Sequence, residues 1–317
     1  MKRTCYILFL ALLALSLVMC KKNDDDTTRP SISGVKITDP DPFVRLGTHL
    51  TFKVNIDGIY TTDNSDPGTL GLYWSLNGTI KDTLSRDLSK SIPTIHVTPE
   101  EIGTYNVVAY VYSVNSSYNG GSVTAVFQAI DPATALEGLD GEENVDIDGN
   151  LYRVTLEGGF TWMANNLYGT PGGRDYRGCE VVSKLFGQYY SWEEAQGACP
   201  AGWRLPTAAE FDQALGSDSG ELMVNASFLG EYMWPYWPQV SISNKRIFNA
   251  IPTGYMDLTT EQEVFGYKEY ACWWTSDQDQ ENDLGVFRYI YQDEPTINKG
   301  VGSKTSLALN VRCIKAD

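Results

Sequence analysis

The sequence predicts a mainly β protein, a β-sandwich followed by a smaller α+β part. Three observations predict it. Residues 31–131 read as β throughout, with an alternating strand at 49–56 and a doubly apolar one at 105–114, and with no helical pattern between the runs. Residues 191–211 hold two short helix starts, each with a capping signal. Four of the six cysteines fall in the C-terminal half, at 179, 199, 272 and 313.

The first half is read strand by strand. Leu50, Phe52, Val54 and Ile56 alternate with His49, Thr51, Lys53 and Asn55, which marks a strand with one buried face. Residues 70–76 form another, ended by the turn pair Asn77-Gly78. Residues 105–114 are apolar on both faces, as suits a central strand, and residues 122–130 supply a closing strand. About seven short strands in about a hundred residues predict an immunoglobulin-like sandwich. Trp74 is expected in its core, and Gly103-Thr104-Tyr105 reads as a tyrosine corner. The stretch 31–131 resembles PKD-like and other bacterial Ig-like domains.

The chain has 317 residues, enough for two domains. Apolar residues make up 42% and aromatic ones 12%, enough for a packed core. The net charge of −16 argues against a nucleic-acid partner, since a phosphate-binding face needs clustered Lys and Arg. Residues 1–20 read as an export signal. Lys2 and Arg3 precede an apolar run over residues 6–19, too short for the ~20 residues of a membrane-spanning helix. Its end, Leu17-Val18-Met19-Cys20, resembles a lipoprotein signal, with Met19 where that pattern has Gly, Ala or Ser. The resemblance makes Cys20 the lipid-bearing residue. Residues 21–30 are polar and charged and are expected as a tether. Lysine followed by acidic residues there resembles the surface-export signal of Bacteroidota lipoproteins, which implies an outer-membrane location.

Residues 132–143 are expected as a linker and 144–317 as the second domain. Hairpins are expected around Asp148-Gly149-Asn150 and Gly158-Gly159. Ser191 with Glu194, and Thr207 with Glu210, form capping boxes for helices over residues 192–198 and 208–215. Beyond residue 216 the pattern is irregular until a last strand. There Leu307, Leu309, Val311 and Cys313 share one face, and Ala308, Asn310 and Arg312 the other. An even number of cysteines in an exported chain predicts disulfides, and four allow three connectivities. The strand phase turns Cys313 inward and Cys199 ends the first helix, so a 199–313 bridge is expected. In the chain-entropy account so long a loop restrains the unfolded state by ~4–5 kcal/mol. Cys179 and Cys272 then pair by elimination.

The second half carries an ordered set of motifs. They are Val145-x-x-Asp148-Gly149-Asn150-x-Tyr152, Trp162-Met163-Ala164-x-Asn166-Leu167 and Cys199-Pro200-x-Gly202-Trp203-Arg204-Leu205-Pro206-Thr207-x-x-Glu210-Phe211. Pro252-x-Gly254-Tyr255, Trp273-Trp274-Thr275-Ser276 and Val311-Arg312-Cys313 complete the set. This half resembles the Fibrobacter succinogenes major paralogous domain over residues 143–317. The resemblance implies a C-type-lectin-like α+β fold and an exported setting. It assigns no activity.

Both histidines, His49 and His96, lie in the first half, so Ser-His-Asp and Cys-His chemistry and His-ligated zinc are excluded from the second. Asp146, Asp148, Asn150 and Glu157 fail as an EF-hand because Leu151 stands where Gly is needed. Asp277, Asp279, Glu281 and Asp283 read as a solvated acidic loop, and no metal or cofactor is expected. Tyr232, Trp234, Tyr236 and Trp237 crowd a proline-stiffened run and are the candidate ligand-binding residues, since exposed rings stack on sugars or anchor proteins. The expectation is a non-catalytic, lipid-anchored surface protein that binds glycan or protein, as in adhesins with a lectin-like tip on Ig-like stalks. The alternatives are a structural part of a surface complex, and a glycan hydrolase using paired carboxylates.

Overall fold

The structure, a computed structural model, describes residues 29–89, 93–236, 238–260 and 263–315. The export signal, Cys20, most of the tether and Trp237 lie outside them.

The first half is a two-sheet sandwich. The larger sheet runs Phe43–Arg45, Gly121–Ile130, Gly103–Ser113, Leu70–Leu76, Thr79–Ser85. The smaller one runs Lys36–Ile37, Leu50–Asn55, Thr94–Val97. Phe52, Val54 and Ile95 from the smaller sheet bury against Leu72, Val107, Val111 and Phe127 of the larger. Each such side chain contributes roughly 1.5–3 kcal/mol. Asn77 and Gly78 take left-handed φ of 48° and 78°, as the tight hairpin turn demands. The tyrosine corner forms: the Tyr105 hydroxyl donates to the Glu101 carbonyl at 3.0 Å. Trp74 is half-buried at the margin of this core.

The two halves share a seam. Phe43 packs its ring 5.3 Å from Phe228 and 6.3 Å from Tyr176. Ile130 is buried in the same cluster. Residues 132–143, expected as a linker, are built into the second half. Leu136–Glu137 pairs with Ser227–Phe228, and Asp140 hydrogen-bonds Asn244 and Asn249. The apolar side chains of Ala135 and Leu136 join the seam cluster, which tacks this stretch down.

The second half begins with the two expected hairpins. Val145–Ile147 pairs with Asn150–Tyr152 and Val154–Glu157 with Phe160–Met163. Gly158 has no room for a side chain, because a Cβ would stand 2.6 Å from the Cα of Ala214 in the second helix. The sheet Val154–Glu157, Phe160–Met163, Ile314–Lys315, Trp203–Arg204 joins the opening hairpin to the chain's last strand. The helices span Trp192–Ala198 and Ala208–Leu215, each with a complete capping box. Their capping carboxylates carry a second duty: Glu194 pairs with Arg174 and Glu210 with Arg204, each at 2.6 Å. The Cys199–Cys313 disulfide ties the end of the first helix to the last strand.

Two expectations about the C-terminal region are corrected. The irregular stretch contains a regular three-stranded sheet, Tyr270–Asp279, Leu284–Tyr291, Asn298–Ser303. The single last strand is broken into Leu307–Leu309 and Ile314–Lys315, and both its faces are buried. One face packs on the cluster of Trp274 and Tyr190, and the other meets Phe248 and Trp273.

Arg312 sits on that second face, 1% exposed, with no carboxylate partner among the described residues. Its Nε donates to Asn166 Oδ1 at 2.7 Å, and its Nη atoms donate to the carbonyls of Met163, Phe248 and Asn249. The guanidinium lies 4.5 Å from the Phe248 ring centre and 5.8 Å from that of Trp273. Burial pulls its pKa down to about 9, so it is still charged at neutral pH. Carbonyl dipoles and ring faces stand in for the lost water.

Arg312→Met leaves several buried acceptors without a donor and is expected to cost about 3 kcal/mol or more in urea unfolding. Arg312→Lys is expected to fail too, because a point charge cannot fork across four acceptors. A loss below about 1 kcal/mol for Arg312→Met would refute this role. The capping carboxylates set an acid limit. The Arg174 hydrogen bond, with the Ser191 cap, holds Glu194 at about 2 against an ordinary 4.5, and Arg204 with Thr207 does the same for Glu210. Their contribution is complete above pH 4.5 and fades as pH falls through about 2. Glu194→Gln is therefore expected to flatten the loss of unfolding free energy between pH 4.5 and 2; an unchanged slope would refute it.

Candidate functional site

The strands Tyr270–Asp279, Leu284–Tyr291 and Asn298–Ser303 pair in a register that sorts their side chains into two faces. Trp274 stands opposite Phe287, Cys272 opposite Tyr289 and Tyr270 opposite Tyr291. Phe287 in turn stands opposite Gly300, and Tyr289 opposite Asn298. Tyr270, Cys272, Trp274, Phe287, Tyr289 and Tyr291 thus share one face. The other face carries Trp273, Arg288 and Lys299 toward the second helix, where Arg288 and Lys299 both pair with Asp212, at 2.7 and 2.8 Å.

The glycines shape the first face. A Cβ on Gly300 would lie 2.3 Å from Phe287 Cζ, and one on Gly302 2.4 Å from Leu307 Cδ2. Two missing side chains on the third strand let the Phe287 ring lie down and leave a concave wall. The result is an open cleft of about 280 Å³, lined by Tyr255, Tyr270, Phe287, Tyr289 and Leu307, with Cys272, Leu309 and the third-strand residues Lys299 and Gly300 completing it.

Around it the rings form a continuous series. Phe265 stacks on Tyr255 at 6.0 Å, and Tyr255 meets Tyr270 edge-on at 6.0 Å. Tyr270 lies 4.9 Å from Tyr291 and 6.1 Å from Tyr289. Phe287 follows at 5.8 Å from Tyr289, with Trp274 edge-on at 5.6 Å from Phe287. Partial burial, with Tyr291 next to it, raises the Tyr270 phenol, so its proton stays in place and can be donated. Burial pushes the Cys272 thiol up strongly, and a protonated buried thiol is a poor nucleophile. Chemically the cleft offers ring faces and phenol O–H groups, the materials of stacking and orientation.

The candidates named from sequence are scattered. Tyr232 and Tyr236 are both 61% exposed, but Trp234 is 1% exposed and donates its indole N–H to the Ala250 carbonyl at 3.0 Å. It belongs to the core with Trp162, Phe211 and Trp273, so Trp234 is not part of an exposed platform with Tyr232 and Tyr236. The reason is local: after Glu231–Tyr232 the chain turns inward, and Met233 and Trp234 are both buried. The 199–313 bridge is present with Cα atoms 5.9 Å apart. The expected 179–272 bridge is not: both cysteines are free and buried. Cys179 lies in the seam cluster and Cys272 beneath the cleft.

The acidic run is no loop at its start, since Asp277 and Asp279 sit within a strand. Asp277 accepts the Ala208 N–H at 2.6 Å, and Asp283 pairs with Lys304. His49 and His96 stack 5.2 Å apart on the exposed side of the sandwich.

The cleft residues were missed by sequence reasoning. A signal existed: Phe287, Tyr289 and Tyr291 alternate with period two, as do Tyr270, Cys272 and Trp274. Trp273 between them hid the alternation.

No curated protein matches this chain. Among solved structures, the CARDB domain of a Pyrococcus furiosus protein is 17% identical, with a TM-score of 0.24, covering 35% of this chain and all of that domain. The PKD domain of an M14-like peptidase from a Thermoplasmatales archaeon is 17% identical, with a TM-score of 0.24, covering 31% of this chain and 95% of that one. Residues 157–315, which carry the capped helices, the disulfide and the aromatic cleft, match the Fibrobacter succinogenes major domain, and the chain belongs to that family.

Proposed function

We propose that this chain is a non-catalytic binding protein, held at the outer cell surface by lipid on Cys20, and that the aromatic cleft takes a glycan. The sandwich serves as the spacer and the second half as a lectin-like tip. One observation carries the reading: a cleft of about 280 Å³ whose walls are tyrosine and phenylalanine rings. Sugar rings present flat C–H faces to such walls and hydroxyls to such phenols. The size favours a small ligand over a protein partner. Small-molecule sites begin near ~300 Å³, whereas a stable protein interface takes about 800 Å² from each partner. Binding is favoured over turnover because the lining has no carboxylate or histidine, and its other ionisable groups are tyrosines, the buried Cys272 thiol and Lys299, whose ammonium is engaged by Asp212.

The test is a glycan-array screen of the full chain, followed by titration of the best binder. Tyr289→Ala is expected to weaken it about tenfold or more with little change in the unfolding midpoint. Gly300→Val, which displaces the Phe287 ring into the cleft, is expected to abolish it. Undiminished binding in both variants would remove the cleft from consideration.

A further inference from the structure

A second cavity, of about 400 Å³, opens on the seam between the two halves. It is lined by Arg45 from the sandwich, by Arg153, Asn165 and Lys184 from the second half, and by Glu143. Pro132, Leu136 and Leu139 form an apolar wall. In a chain of net charge −16, three cations gathered on one hollow are out of keeping with the rest of the surface.

The polar groups there are almost all donors. Lys184 is matched by Glu143 at 3.2 Å. The Arg45 side chain has no partner among the described residues, and it reaches the cavity from Phe43–Arg45, a strand fixed by its pairing with Gly121–Ile130. Arg153 donates its Nε to the Gly141 carbonyl at 3.2 Å, which holds the guanidinium in place, while its Nη atoms have no partner among the described residues. Asn165 is only 8% exposed. Its Oδ1 accepts the backbone N–H of Arg153 at 2.7 Å. A backbone N–H can only donate, so the carbonyl oxygen must face it and the amide Nδ2 must face the other way. That NH₂ has no protein partner among the described residues. Two guanidinium groups and a fixed, nearly buried amide donor therefore look onto one hollow with a greasy side.

We infer that this seam cavity is a binding site for a carboxylate-bearing sugar of monosaccharide size, a hexuronic acid, distinct from the aromatic cleft. The carboxylate takes the Arg45 and Arg153 forks and the Asn165 amide, since planar guanidinium matches carboxylate geometry. The ring's C–H face lies on Pro132, Leu136 and Leu139. The volume suits one or two sugar rings. Both halves contribute, so the site exists only in the assembled chain.

The experiment titrates the full chain with glucuronate and, in parallel, with glucose, its neutral counterpart. Glucuronate is expected to bind about tenfold or more tightly than glucose, and to weaken as salt screens the arginines. Asn165→Asp keeps the acceptor for the Arg153 N–H but turns the donor into an anion; it is expected to weaken glucuronate about tenfold or more. Arg45→Gln, on an exposed side chain with no partner among the described residues, provides a second variant whose folding is not at risk, with the same loss expected. Equal binding of the two sugars, no binding of glucuronate, or full binding by the folded Asn165→Asp or Arg45→Gln chain would overturn the inference. Tyr289→Ala probes the aromatic cleft alone and Asn165→Asp this cavity alone, so either proposal can fail without the other.

Discussion

The second half of this protein is organised around a positive charge that no carboxylate among the described residues answers. The Arg312 guanidinium reads four acceptors on two separate segments, Met163–Asn166 and Phe248–Asn249, and lies against two rings. Each acceptor is a carbonyl, so the charge is dispersed over dipoles instead of being cancelled. A salt bridge would tie Arg312 to one neighbour. Carbonyl coordination ties it to a surface, and segments far apart in sequence must converge before the charge can leave water. Asn166 extends the hub, since its Oδ1 also accepts the Trp273 indole N–H at 3.0 Å. The family motifs around Trp162, Trp273 and Val311-Arg312-Cys313 are in this sense one contact written in three places.

The disulfide one residue later acts on the same strand by another route. Cys199 and Cys313 lie 114 positions apart, so the bridge chiefly restricts the unfolded chain, while Arg312 stabilises the folded one. Together they set the strand that separates the two apolar clusters of this half. Trp274 and Cys272 lie on one side of it, and Trp273 and Phe248 on the other. With that divider in place, the three-stranded sheet can present one face to the core and open the other toward the cleft.

Features governed by neighbours in sequence were legible. The capping boxes at Ser191 and Thr207 placed both helices at their observed bounds, because a cap is a contact within three residues. Asn77-Gly78 and Asp148-Gly149 marked their hairpins because left-handed backbone narrows the choice of residue. Features that depend on distant neighbours were not. Whether Trp234 faces water or the core depends on Ala250 and Phe211. Pairing Cys179 with Cys272 by elimination assumed a proximity that sequence does not encode. The cleft was hidden because strands covered on both sides lose the alternation that announces a half-buried sheet. The last strand misled for the same reason: Asn310 and Arg312 read as an outer face, yet their polar atoms are satisfied indoors.

Gly300 and Gly302 bear on how such a domain could diversify. Glycine is among the poorest residues for an extended segment, so intrinsic preference alone would put a β-branched residue there. The chain instead keeps two positions where bulk is subtracted. A side chain at either position meets a neighbour at once, Phe287 at Gly300 and Leu307 at Gly302, so the wall and the rings behind it change together. A hollow made by omission is therefore held open by the packing behind it and closes when either omission is filled.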